Sequence, residues 1–236
     1  MINVVFDLDD TLYSLLPVFE KTLHLFMPEH TLDVHDFYIA FREEANKLFT
    51  DSQTGKISME TLHRLRAQNA FKRYGIVLDD QQADTFHAIY DSYKENIALS
   101  DEAIDIIHLM DQYGFKTGII TNGTSQKQRK TMRCLDITRY FTDDNLIIVS
   151  GELGIDKPDH RIFDAWTDRI QNTSPSLYVG DSFTHDIIGA YQAGWTPIWY
   201  NPLNKHHPEV DFEFIEIKSL SELKTLPIIT DNANSK

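Results

Sequence analysis

The chain has 236 residues, 42% of them hydrophobic and 25% charged, with a formal net charge of −14. That length suits one good-sized domain, or one domain carrying a smaller insertion, and the apolar fraction is that of an ordinary globule. An acidic balance of this size repels nucleic-acid phosphates and anionic membranes, so neither is expected as a partner.

In chain order, the first element is an apolar run, Val4 to Phe6 in "INVVFDLDDTLY", which reads as a buried strand and ends at Asp7, Asp9 and Asp10. Residues 15–98 are helical in pattern, through "LPVFEKTLHLFM", "VHDFYIAFREEANKLF", "SMETLHRLRAQNAFKRYG" and "LDDQQADTFHAIYDSYKEN". Loop-like breaks between them predict three to five antiparallel helices, with Asp33 and Ser58 as helix starts. From Ser100 the pattern alternates. A helix capped by Ser100 and stopped by Gly114 leads to the strand "FKTGIIT", the helix "SQKQRKTMRCLD", the strand "NLIIVS", the helix "DHRIFDAWTDRI", the strand "SLYVG", the helix "HDIIGAYQAG" and the strand "TPIWY". "FEFIEI" and "SLSELKTL" read as a last strand and helix, and "TDNANSK" as a frayed tail.

Such alternation means parallel strands joined by crossover helices. The opening strand has no partner in the helical block, so it is placed in the later sheet, with the block as an insertion. The expected architecture is a doubly wound, Rossmann-like α/β core (1–14 and 99–230) with an α-helical cap (15–98) and a flexible tail (231–236). Ligands on such cores bind at the carboxyl ends of the strands.

The single cysteine, Cys134, excludes an intramolecular disulfide and a paired-thiolate metal site, and it reads as a buried filler on an amphipathic helix. There is no basic leader and no run of the ~18 apolar residues a membrane span needs, so a cytoplasmic protein is expected. The ten histidines show no metal-ligand spacing; His206 and His207 lie in a Pro-flanked loop. "QKQRKTMR" reads as a solvated helix face, and Trp195, Trp199 and Tyr200 as sheet packing. Arg42, Lys47, Arg64 and Lys72 are the cap residues that stand as candidates to meet a leaving group.

The predicted strand ends form one surface. The first presents Asp7, Asp9 and Thr11, the second Thr121, Asn122 and Gly123, the third leads to Lys157, and the fourth to Asp181 and Asp186. Each alone has an ordinary explanation as a cap or turn residue. Together, in order and each after a parallel strand, they converge where a site is expected.

In four ordered motifs, "FDLDDTL", "IITNG", Lys157 in "GIDKP" and "VGDSFTHDI", the chain resembles the haloacid dehalogenase-like hydrolase superfamily, in its phosphatase branch with an α-helical cap. The resemblance implies Asp7 as nucleophile forming an aspartyl-phosphate, and Asp9 as general acid and then base. Thr121, the Asn122 amide and Gly123 would hold the phosphoryl group, with Lys157 neutralising it. It implies Mg²⁺ on Asp7, the Asp9 backbone carbonyl and Asp181, with Asp186 and Thr11 in support. Pro158 is expected in the first turn of the next helix, and Asp10 is read as a turn or cap residue. A small phosphorylated metabolite is the implied substrate, a nucleoside 5′-monophosphate before sugar phosphates. A phosphomutase and a non-catalytic phospho-accepting module are the alternatives.

Overall fold

Residues 2–171 and 174–233 are described by the structure, a computed structural model. The opening run forms β1 (Asn3–Phe6), wholly buried, as four residues without a charge permit. β1 does not pair with anything in the helical stretch that follows it. It lies between β2 (Lys116–Thr121) and β4 (Ser176–Gly180), in a six-stranded sheet of order β3-β2-β1-β4-β5-β6. β3 is Ile147–Val149, β5 Thr196–Tyr200 and β6 Ile215–Ile217. Every pair is parallel. Phe6 pairs with Ile119 on one side and Val179 on the other, so three strands end almost level.

Strands covered on both faces read as apolar runs instead of alternating ones, which is why "VVF", "GII" and "LYV" look alike in the sequence. Trp166, Phe163, Trp195 and Tyr178 pack on one side of the sheet. Trp166 Nε1 donates to the Leu146 carbonyl at 2.9 Å. A Cβ at Gly118 would lie 2.4 Å from that Nε1, so only glycine allows the indole this close to β2.

The chain divides into one compact unit of Met1–Ser14 with Ile97–Lys236 and a second of Leu15–Asn96. The second unit holds α1 (Leu16–Phe26), α2 (Val34–Gln53), α3 (Met59–Arg73) and α4 (Asp80–Tyr93). Asp33, Ser58 and Asp79 cap the last three, their side chains accepting from amides three residues on. An aromatic core of Phe19, Phe37, Phe41, Phe71, Phe86 and Tyr90 fills the unit. The rings of Phe19 and Phe41 are 4.9 Å apart at tilted angles, the geometry that ring quadrupoles favour.

The first unit's helices are α5 (Asp101–Gln112), α6 (Ser125–Cys134), α7 (Ser150–Leu153), α8 (Arg161–Ile170), α9 (Ile188–Gln192) and α10 (Pro227–Ala233). Ser100 caps α5, and Gly114 takes the left-handed conformation just beyond it. Some elements differ from the sequence reading. Ser150 opens the short α7 instead of ending β3. "FEFIEI" contributes only three residues of strand, and "SLSELKTL" is a 3₁₀ helix over Leu220–Thr225. α10 carries helix through "TDNA" of the expected tail, with Pro227 in the first position, where its missing N–H costs nothing; 234–236 lie outside the described residues.

Cys134 is exposed: Gln128 and Met132, four residues apart, form the buried face of α6, and Cys134 falls off it. Pro158 lies ahead of α8, which starts at Arg161, and its bond to Lys157 is cis. Among the described residues no helix is long and apolar enough to cross a membrane.

Candidate active site

The strand order reverses direction at β1 and β4, and at such a switch point the carboxyl ends leave a crevice. Asp7 is the first residue past β1; its amide still donates to Val179 O at 2.9 Å, which ties it to β4. The chain then turns tightly. Asp10 adopts φ 61°, a left-handed conformation that aspartate tolerates better than most residues. Asp10 therefore shapes the turn, as expected.

Lys157 is buried, and its Nζ lies 2.6 Å from Asp7 Oδ1, 2.7 Å from Asp186 Oδ1, 2.8 Å from the Tyr178 hydroxyl and 3.0 Å from Ile120 O, four acceptors around three N–H groups. Burial alone would depress its pKa, but the Asp186 and Asp7 charges overcome this and hold it well above the usual lysine value. The ammonium thus stays charged inside the protein. For Asp7 the largest influence is also burial, which pushes its carboxyl well above the ordinary range; Lys157 opposes this, while Asp186 and Asp181 add to it. Tyr178 passes its own proton to Ile120 O at 2.6 Å, so it accepts from Lys157.

Two neighbours hold this centre in shape. Asn122 clasps the Lys157 backbone, its Oδ1 accepting from Lys157 N at 2.8 Å and its Nδ2 donating to Lys157 O at 2.9 Å. Asp186 also accepts from Ser182 N at 2.9 Å, within a π-helical turn over Phe183–Ile187 that precedes α9. A Cβ at Gly180 would sit 2.5 Å from Asp186 Cγ, so the glycine that ends β4 is what lets this carboxylate approach.

Carboxylate oxygens of Asp7, Asp181 and Asp186 lie within 4.8 Å of one another, a hard, all-oxygen set of the kind that suits a divalent cation. Asp181 is further bound by Lys205, whose Nζ reaches Oδ2 at 2.7 Å and the Asp181 carbonyl at 2.6 Å. Asp9 has different company: the Tyr13 hydroxyl donates to its Oδ1 at 2.5 Å, and Lys127 Nζ lies 3.4 Å from its Oδ2. Thr11 Oγ1 lies 3.5 Å from Asp7 Oδ2. In the loop after β2, Thr121 Oγ1 accepts from Gln128, and Gly123, at φ 142°, donates its amide to Ser150 Oγ at 2.9 Å.

Asp7, Lys157, Asp181 and Asp186 thus come together directly, with Asn122 locked to Lys157. Of the second unit's candidates, Arg64 pairs with Asp84 at 2.6 Å and Lys47 with Glu44 at 2.6 Å; Lys72 is exposed. Arg66, absent from the sequence reading, is the buried cation there, 4.1 Å over the Phe41 ring, with burial lowering its pKa to about 10. "QKQRKTMR" is more than a solvated face, since Lys127 reaches Asp9 and Gln128 is buried. Tyr178 had one visible signal, a phenol inside an aliphatic strand that must find a partner. Lys205 and Tyr13 had none.

A doubly wound parallel sheet whose strand ends carry an all-oxygen carboxylate cluster around a buried lysine defines an α/β protein with a charged centre at its switch point. Residues 3–194 match the haloacid dehalogenase-like hydrolase family, and the chain belongs to it. It is similar to the HAD-hydrolase YfnB of Bacillus subtilis, 29% identical over 94% of this chain and 93% of that one. The crystal structure of YfnB bound to magnesium matches with a TM-score of 0.67, covering 97% of this chain and 98% of that one. The pyrimidine 5′-nucleotidase YjjG of Escherichia coli is 26% identical over 94% of this chain and 96% of its own. (S)-2-haloacid dehalogenase 1 of a Pseudomonas species is 29% identical over 66% of each chain.

Proposed function

We propose that the protein is a Mg²⁺-dependent phosphomonoesterase that hydrolyses a small phosphorylated metabolite through an aspartyl-phosphate on Asp7. The observation that carries this reading is the contrast between two carboxylates two residues apart. Asp7 is bound by the buried Lys157, whereas Asp9 is held by Tyr13 and Lys127. Breaking a carbon–halogen bond releases a halide that needs no proton; releasing an alkoxide from phosphorus needs an acid, and Asp9 supplies one.

In the first step an Asp7 oxygen attacks phosphorus, the bond to the leaving oxygen breaks, and the Asp9 proton goes to that oxygen. In the second step Asp9, now a carboxylate, takes a proton from water as it attacks the same phosphorus, releasing inorganic phosphate and restoring Asp7. Thr121 and the Asn122 amide hold the phosphoryl oxygens, and the Lys157 charge offsets theirs. Asp7, Asp181 and the Asp9 carbonyl would hold Mg²⁺, which when bound supplies charge neutralisation between the carboxylates and the phosphoryl group. The close carboxylate oxygens of Asp7 and Asp181 fit that role, with Asp186 supporting Lys157.

Residues 15–98, the helical unit, are the proposed source of substrate selectivity. Similarity to a pyrimidine nucleotidase supports nucleoside 5′-monophosphates as the first substrates to try, with sugar phosphates second. The test is phosphate release from a panel of nucleotides, sugar phosphates and short-chain phosphates, with Mg²⁺ and with chelator. Release should require Mg²⁺ and vanish in Asp7→Asn. Isomerised sugar phosphate without free phosphate would replace this reading with a mutase; full activity in Asp7→Asn would remove the nucleophile.

A further inference from the structure

Helix α6 is polar along most of its length, yet Gln128 within it is completely buried. A buried amide is costly unless its hydrogen bonds are made. Gln128 makes one at 2.6 Å, from Nε2 to Thr121 Oγ1, at the end of β2. Its Oε1 is buried and has no partner among the described residues. The amide lies directly under the loop after β2: a Cβ at Gly123 would come within 3.1 Å of Gln128 Cγ and Cδ. Packing this close fixes the position of the amide relative to the loop.

A threonine hydroxyl has one proton to give and two lone pairs to receive. With one lone pair filled by the Gln128 Nε2–H, the Thr121 proton is directed away from Gln128. The reverse amide orientation would spend that proton on Oε1 and bury an NH₂ group with no acceptor. An under-satisfied carbonyl is the more tolerable of the two. We propose that Gln128 is a positioning residue that holds the Thr121 hydroxyl as a hydrogen-bond donor toward the phosphoryl group. Gln128 does not touch substrate; it acts through Thr121. The inference rests on the phosphatase reading of the site.

The experiment is a double-mutant cycle of Gln128→Met and Thr121→Val, read as kcat and KM for p-nitrophenyl phosphate with Mg²⁺, and as inhibition by vanadate. Thr121→Val is expected to lower kcat/KM by about 10- to 100-fold, the size of one hydrogen bond to a charged group. Gln128→Met should cost roughly 5- to 10-fold in the wild-type background and nothing further in Thr121→Val, because its only route is through that hydroxyl. Thr121→Ser, which keeps the hydroxyl, should keep the sensitivity to Gln128→Met, and vanadate inhibition should weaken in step with kcat/KM.

An equal loss from Gln128→Met in both backgrounds would mean a packing role and overturn the proposal, as would insensitivity of Thr121→Ser to Gln128→Met. Unchanged kcat/KM in Thr121→Val is a different failure: it would remove Thr121 from phosphate binding, and the phosphatase reading of this loop with it.

Discussion

Replacing Lys157 by methionine tests the electrostatic design of the centre most directly. The side chain stays unbranched and apolar but one atom shorter, while the Nζ contacts with Asp7, Asp186, Tyr178 and Ile120 O, all within 3.0 Å, are lost together. At an effective dielectric constant of about 20, each carboxylate contact is a Coulomb attraction of about 6 kcal/mol. Most of that is offset because the ammonium no longer has to be desolvated, and breaking one side of a buried ion pair typically costs about 3–5 kcal/mol net. The penalty depends on the carboxylates remaining charged. Burial already holds the Asp7 carboxyl above its ordinary range, and removing Lys157 takes away the one influence that opposes this. The Asp7 contribution to stability is then fully present below the unfolded carboxylate pKa and is lost as pH rises through the raised folded value. Urea denaturation of wild type and Lys157→Met at pH 7 and pH 5 should show a loss of about 3–5 kcal/mol at pH 7 and a clearly smaller one at pH 5. An equal loss at both values, or one below about 1 kcal/mol at pH 7, would refute the argument that two buried charges depend on this ammonium.

Asp9→Asn should slow both chemical steps, seen as reduced burst and steady-state rates, while Mg²⁺ binding measured by calorimetry stays close to wild type; loss of metal binding would contradict the division between its side chain and its carbonyl. Gly180→Ala should cost about 1–3 kcal/mol in thermal or urea unfolding by pushing Asp186 off Lys157, and kcat should fall with it. His87, whose ring centroid lies 3.8 Å from that of His63 at a tilt of 30°, has its pKa lowered to about 4 by burial, with Arg66 adding to the effect. Being depressed, it makes no difference above pH 6.5 and destabilises the folded state as pH falls toward 4. The loss is at most about 2–3 kcal/mol after allowing for its partial exposure, and His87→Gln should flatten that part of the stability profile.

The order of helices and strands was readable because parallel strands and amphipathic helices leave distinct periods, and because Asp33, Ser58 and Ser100 sit where caps must be. Short elements were less legible: three residues of β3 or β6 carry no period, and the sheet, not local propensity, decides their ends. In the site, the charged groups were visible as strand-end residues. Their supporting partners were not. Lys205 reaches Asp181 from a loop, Tyr13 reaches Asp9 across a turn, and Gln128 is buried on a helix that reads as polar. Cys134 was misplaced for the same reason: one turn of register decides which side of α6 is inside, and only Gln128 and Met132 settle it.

The position of β1 in the sheet also has a consequence for synthesis. β1 leaves the ribosome well before its pairing partners, which begin at Lys116 and Ser176. At about 5–20 residues per second, roughly 10–35 s pass before both flanking strands exist. During that time "NVVF" is an unpaired apolar strand of the kind that seeds aggregation, and the counter-ion of Asp7 has not been made until Lys157 emerges. Asp7, Asp9 and Asp10 then act as gatekeepers, charges flanking an exposed hydrophobic segment that keep it from pairing with a neighbouring chain. Neutral replacements at all three would therefore leave the nascent strand bare, and Asp7, which later joins the acidic centre, guards the chain with its two neighbours while it waits for its sheet.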